Sequence, residues 1–126
     1  MKLIIDVMGS DRGPEEIIKG AIAGMQELNT EIILVGDEEI IKAAAEKNKL
    51  DLASIRVVHA SDVVTMEDDP MSIRKKSDSS MRVALKLLSD GEGDALVSCG
   101  NTGALQTGAT LYVKRIRGVH RAAIAT

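Results

Sequence analysis

An α/β fold built on a parallel sheet is what this sequence predicts, and three observations carry it. Short runs rich in Ile, Leu and Val alternate with longer segments whose apolar residues recur at helical spacing. No two of the strand-like runs are joined by a tight hairpin turn, so each return must be a crossover, which makes the strands parallel and places helices on both faces. The third observation is the stretch Asp94–Leu105, an apolar run that stops at small and polar residues and then re-enters helix-forming sequence at Ala104.

Lys2 to Val7 is β-branched and apolar with one carboxylate, Asp6, near its end, and reads as a central strand. A turn over Met8–Gly13 follows, and Pro14 suits the first position of a helix. From Glu15 to Leu28 the residues Ile17, Ile18, Ala21, Ile22, Met25 and Leu28 make one face at helical spacing. Gly20 and Gly24 weaken that helix by roughly 1 kcal/mol each against Ala, a cost more easily borne where another element packs closely.

Glu31 to Val35 is the second strand, ending in Gly36-Asp37, and Glu38 to Lys47 is helical. Ile55 to His59 is the third strand, with Val63 to Met66 as a short extended piece. The segment Glu67–Ser80 is polar, carries both charges and is longer than a routine connection, so it is expected to be functional or mobile. Ser79 or Ser80 opens a helix whose apolar face is Met81, Ala84, Leu85 and Leu88. Ala95 to Val97 is a buried strand. The helix after it, Thr102 to about Arg115, is apolar nearly all round and is expected to be deeply buried until Gly118 breaks it. Ala122 to Ala125 looks like the start of another strand.

At 126 residues the chain is one domain, residues 1–126, either complete or the amino-terminal part of a larger α/β enzyme. Such a domain buries roughly two-thirds of its unfolded surface. With one Tyr and neither Phe nor Trp, the core must be aliphatic, and a stacking platform for single-stranded nucleic acid is excluded. A lone Cys99 and the lack of a signal peptide point to the cytoplasm. No apolar run reaches membrane-spanning length. Two His and one Cys, far apart, leave little for a metal site, and none is expected.

Ligands of open parallel sheets gather beyond the carboxyl ends of the strands. That edge carries Asp6, Met8, Gly9 and Asp11, Gly36-Asp37, His59, and Ser98-Cys99-Gly100-Asn101. Strand, glycine turn and helix aim unpaired backbone N–H groups at an anion. Gly100 and Gly103 admit a ligand close to the backbone, while Asn101 and Thr102 add side-chain donors and a helix cap. Arg74, Lys75, Lys76 and Arg82 surround Asp78, Ser79 and Ser80, a cluster suited to neutralising a phosphate. Lys114, Arg115, Arg117 and Arg121 form a second basic group, read as a helix's last turn answering its dipole or as a contact for an acidic protein. There is no P-loop and no Gly-x-Gly-x-x-Gly, and His59 reads as a structural histidine at a strand end.

Ile5-Asp6-Val7-Met8-Gly9-Ser10-Asp11 resembles the amino-terminal Asp-x-Met-Gly-Gly-Asp signature of bacterial phosphate acyltransferases, the fatty acid/phospholipid synthesis proteins. So do Ile33-Leu34-Val35-Gly36-Asp37, Arg74-Lys75-Lys76 with Asp78-Ser79-Ser80-Met81, and Ser98-x-Gly100-Asn101-Thr102-Gly103-Ala104, in order and at matching separations. The departures are Ser10, Cys99 and Ala122, where Gly, Ala and Pro are usual, and length, so the chain reads as an amino-terminal portion.

The resemblance implies an isocitrate/isopropylmalate-dehydrogenase-like architecture and acyl transfer from acyl-acyl-carrier-protein to inorganic phosphate, giving acyl phosphate for phospholipid synthesis. It implies no cofactor, a homodimer, and peripheral membrane contact through parts outside these residues. Asn101 is then the expected catalytic residue. Asp6, Gly9, Asp11, Lys75, Ser79, Ser80, Gly100, Thr102 and Gly103 are expected to bind phosphate or substrate, with no role for nucleic acid. The alternatives are a phosphate acetyltransferase-like enzyme and a non-catalytic, truncated binding module.

Overall fold

The computed structural model describes residues 1–125. Strands β1 (Lys2–Asp6), β2 (Glu31–Gly36), β3 (Arg56–His59) and β4 (Ala95–Ser98) form one parallel sheet in the order β3-β2-β1-β4. In register, Ile4 lies between Ile33 of β2 and Leu96 of β4. Alternation then sorts the side chains. Ile5, Val7, Ile32 and Leu34 point to one face, where they meet Ile18 and Ile22 of α1 (Pro14–Leu28) and Ile41 and Ala44 of α2 (Glu38–Lys47). Ile4, Ile33 and Val35 point to the other, against Ala84 and Leu87 of α4 (Ser80–Ser89). Each such side chain, fully buried, contributes roughly 1.5–3 kcal/mol, so an aliphatic core of this kind needs no aromatic residues. A third cluster, Val64, Ile73, Met81, Leu85 and Ala104, joins α4 to α3 (Ser72–Lys75) and α5 (Thr102–Gly108).

Capping fixes where the helices begin. The Asp37 carboxylate accepts from the Glu39 and Ile40 amides at 3.0 and 3.3 Å at the start of α2. Nδ1 of His59 accepts from the Glu38 amide at 3.1 Å, the structural duty expected of it. Ser79 caps α4 by accepting from the Arg82 amide at 3.3 Å.

The structure departs from expectation in five places. The polar segment before α4 is tied down: it contains α3, Lys76 Nζ donates to the Asp68 carboxylate and the Val63 carbonyl at 2.8 Å each, and the Asp68 carboxylate accepts from the Thr65 amide at 2.8 Å. These local bonds between polar groups are invisible to composition. Val63–Met66 is not a strand; Asp62 instead makes a single parallel bridge to Ser79. The last helix is shorter: α5 runs into a π-helical turn, Ala109–Val113, and stops at Lys114, whose φ of 73° cannot continue a helix. Only Ala104 and Gly108 of these two elements are buried, while Leu111 and Val113 are exposed. Ala122–Ala125 form no strand. The sheet is also not covered on both faces throughout: β4 is an edge strand, and Val97 is 45% exposed on the α1 side.

Candidate active site at the carboxyl edge of the sheet

Asp6 closes the central strand and sits at the middle of the carboxyl edge, beside Val35 of β2 and Ser98 of β4. It is 2% exposed. Its Oδ2 accepts from the Ser98 hydroxyl at 2.7 Å and its Oδ1 from the Met8 amide at 3.2 Å, and the Ser80 hydroxyl bonds it from the start of α4. Burial pushes the Asp6 carboxyl above its ordinary value, and the hydroxyls of Ser80 and Ser98 and the Met8 N–H pull against that shift. Ser98 passes the contact on: its Oγ accepts from the Gly100 amide at 3.2 Å. One carboxylate thereby fixes three pieces of chain: the turn after β1, the turn after β4 and the first residue of α4.

The two turns touch. Gly9 has φ +77°, and a Cβ there would lie 2.9 Å from the Val64 carbonyl oxygen and 3.9 Å from Gly100 Cα. Only glycine meets both demands at once. A Cβ on Gly100 would lie 3.2 Å from Met81 Cε and 3.8 Å from the Asp6 carboxylate, so this turn also lies directly over the buried acid.

Asn101 caps a helix, as expected, and its amide also ties down a loop. Its Oδ1 caps α5 by accepting from the Ala104 amide at 3.0 Å. Its Nδ2 donates to the carbonyls of Asp68 at 2.8 Å and Thr65 at 3.0 Å, which leaves this amide no free donor in the present conformation. Asn101 clamps the Thr65–Asp68 loop onto the start of α5. Pro70 completes the clamp: a Cβ on Gly103 would lie 2.9 Å from Pro70 Cγ. The backbone amides of Thr102 and Gly103 have no hydrogen-bond partner among the described residues, and Thr102 is exposed.

The remaining expected residues divide into two groups. Ser79 and Ser80 are buried, one as a cap and the other facing Asp6, so they support the site from beneath instead of reaching a ligand directly. Asp11 and Lys75 are exposed, and neither forms an ion pair among the described residues. Of the nearby cations, Lys76 is committed to Asp68, whose hydrogen bond raises the Lys76 pKa and lowers that of Asp68. Arg82 donates to the Tyr112 hydroxyl at 2.6 Å and the Ile73 carbonyl at 3.4 Å, with its guanidinium carbon 3.5 Å from the Tyr112 ring centroid. Only Arg74 and Lys75 of that cluster stay unpaired among the described residues.

Sequence reasoning placed Ser98 on the ligand-facing edge but missed its bond to Asp6, and it missed the Thr65–Asp68 loop as the partner of Asn101. The Ser98 bond was within reach of inference, since Ser98 ends the strand that must pair with β1 next to Asp6. The loop carries no such signal. Below the edge, an apolar groove of about 310 Å³ runs between Gly20, Gly24 and Met25 of α1 and Val97 and Cys99 at the open side of the sheet. Among the described residues nothing lies within 4 Å of where a Cβ on Gly20 or Gly24 would sit. Among the described residues no group of three or more His, Cys, Asp or Glu side chains is placed to hold a metal ion, and no helix is long and apolar enough to cross a membrane.

Comparison with known proteins adds the context. The family model described as "Fatty acid synthesis protein" matches residues 1–126. A phosphate acyltransferase of Thermotoga neapolitana is 46% identical over 124 residues, covering 98% of this chain and 35% of its own length. Those of Acetivibrio thermocellus and Thermotoga maritima are 45% and 47% identical, each covering 98% of this chain and respectively 37% and 35% of their own. The chain thus spans little more than a third of the length of these relatives. Among solved structures, EutD phosphotransacetylase from Staphylococcus aureus superposes with a TM-score of 0.65 at 20% identity, over 94% of this chain and 40% of that one, a likeness of fold.

Proposed function

Because the chain belongs to the fatty acid synthesis protein family, we propose that the whole protein transfers an acyl group from acyl-acyl-carrier-protein to inorganic phosphate, giving an acyl phosphate for phospholipid synthesis. The observation that carries this reading is the 45–47% identity, along nearly all of these residues, to proteins named phosphate acyltransferase. In the reaction a phosphate oxygen attacks the thioester carbonyl, a C–O bond forms, the C–S bond breaks and the thiolate leaves with the carrier. Phosphate is already an anionic nucleophile and a thiolate is a competent leaving group. The protein has chiefly to position phosphate and stabilise the developing oxyanion.

The geometry is suited to that task. The Gly9 and Gly100 turns meet above Asp6, and the amides of Thr102 and Gly103, unpaired among the described residues, lie one and two residues beyond Asn101. Asp6, Ser80 and Ser98 hold the turns in place as positioning residues, and Asn101 holds the loop over them. Asp11, Lys75 and Thr102 are the exposed groups left to meet substrate. No cofactor is needed. The complete enzyme is proposed to be a cytoplasmic homodimer that touches the membrane peripherally through other parts, and these 126 residues alone are proposed to be inactive for want of the opposing wall of the cleft.

The test is acyl phosphate formation, trapped as the hydroxamate, by the full-length protein and by the 126-residue chain. Long-chain acyl-acyl-carrier-protein and acetyl-coenzyme A serve as donors, with phosphate present or omitted. Phosphate-dependent product from the carrier-bound donor, by the full-length protein only, is the expected result. Preference for acetyl-coenzyme A would establish the phosphate acetyltransferase alternative, and absence of product from either donor would leave a binding module.

A further inference from the structure

All nineteen acidic residues of this chain precede Ala95, and the cations after it, Lys114, Arg115, Arg117 and Arg121, have no acidic residue near them in sequence. None of the ion pairs among the described residues involves a cation beyond Lys86. This one-signed stretch folds back on the outer side of α5. Gln106 Nε2 donates to the Ala122 carbonyl at 3.2 Å, the Val119 amide to the Ile116 carbonyl at 3.0 Å, and the Arg115 guanidinium to the His120 carbonyl. The bonds hold open a cleft of about 470 Å³ whose walls include Thr107, Thr110, Arg115, His120 and Arg121, with Met71 and Leu111 beside them.

Among the described residues no carboxylate lines this cleft. Arg115 uses one guanidinium nitrogen on the His120 carbonyl and keeps further N–H donors, and Arg121 has no hydrogen-bond or ion-pair partner among the described residues. Two guanidinium groups in one cleft supply planar N–H forks that match phosphate oxygens, with the Thr107 hydroxyl beside them, while the Thr110 hydroxyl is already donated to the Gln106 carbonyl at 2.9 Å. The volume lies in the range of pockets for small organic ligands, roughly 300–1,000 Å³, and is far more than a bare anion fills. Met71 and Leu111 are both exposed, so they offer an apolar floor for the organic portion.

We propose that this cleft binds a phosphate ester, its phosphate held by Arg115 and Arg121 and its carbon chain laid on Met71 and Leu111. The proposal is separate from the acyl-transfer reading, because none of these residues belongs to the Asp6–Gly100 site.

The test uses the full-length protein, titrated with n-butyl phosphate, inorganic phosphate and n-butanol, and followed by calorimetry and by amide chemical shifts. Butyl phosphate is expected to bind at least tenfold more tightly than inorganic phosphate and to shift Thr107, Thr110 and Arg121, with butanol silent. Arg121→Gln is expected to weaken butyl phosphate about tenfold or more, as for loss of a charge-assisted hydrogen bond. Arg121→Lys should fall between, and the remote Lys42→Gln should match wild type. Because Arg121 is exposed, these variants leave the core intact. Equal affinity for butyl phosphate and inorganic phosphate, an unchanged affinity in Arg121→Gln, or shifts confined to the Gly100 turn would each overturn the proposal.

Discussion

Replacing Asn101 by Ala tests the clamp most directly. The side chain does two separable things: Oδ1 caps α5 through the Ala104 amide, and Nδ2 joins the Thr65 and Asp68 carbonyls. Loss of the cap costs about 1 kcal/mol. Loss of the donor costs about another 1–2 kcal/mol, since Thr65 is exposed and water can take over part of the bond. With a melting entropy of about 2.1 cal/mol/K per residue, each kcal/mol corresponds to roughly 4 °C here, so Asn101→Ala should melt roughly 8–12 °C below wild type. Asn101→Ser keeps a good capping oxygen and loses only the clamp, so about half that fall is expected. In both variants hydrogen exchange at Thr65 to Ser72 should quicken. Wild-type stability and exchange in Asn101→Ser would refute the clamp. In the full-length enzyme, a direct oxyanion donor predicts turnover falling about 10²–10³-fold at unchanged KM. A clamp predicts a smaller loss of turnover that tracks the loosening of the loop.

Three further substitutions probe the rest of the site. Asp6 has its pKa raised by burial, so its contribution to stability is full below the ordinary value of 3.8 and is lost as pH rises through the raised one; Asp6→Asn should gain on wild type over that window in urea midpoints, and a constant difference across pH would contradict the assignment. Gly9→Ala places a Cβ at φ +77° and 2.9 Å from a backbone oxygen, for a loss of roughly 1–3 kcal/mol by chemical denaturation. Gly103→Val drives a branched side chain into Pro70, an overpacking of roughly 1–3 kcal/mol that Pro70→Ala should partly relieve; additive effects in the double mutant would show that the two do not touch.

Much of this was legible in the sequence because it depends on local period and end signals. The four strands, the helices after Pro14, Asp37 and Ser79, and the convergence of Asp6, Gly9 and Gly100 follow from apolar spacing, capping residues and the rule that parallel strands share a ligand-facing edge. What was not legible depends on contacts between distant residues. Asn101 looks like a free donor until the Thr65–Asp68 backbone is seen beneath its amide. Arg82 looks like a phosphate ligand until Tyr112 stacks on it from thirty residues away. The segment before α4 looks mobile by composition because its anchors, Lys76 to Val63 and Asp68, are polar groups satisfying one another.

The same distinction explains why the buried acid belongs at this place in the fold. A carboxylate at the end of a central parallel strand is costly to desolvate, and the raised Asp6 pKa records that cost. An apolar residue there would pack without penalty, yet it could not hold Ser98, Ser80 and the Met8 amide at the same time. Those three belong to three separate chain segments: the end of β4, the start of α4 and the turn after β1. Hydrogen bonds to one shared carboxylate are the shortest way to fix their relative positions, and the turn they fix, through the Gly100 amide, is the one whose neighbouring amides stay unpaired. The stability given up at Asp6 is therefore recovered as a fixed arrangement of the Gly9 and Gly100 turns, a trade expected of a preorganised site of the kind proposed above and unnecessary in a purely structural turn.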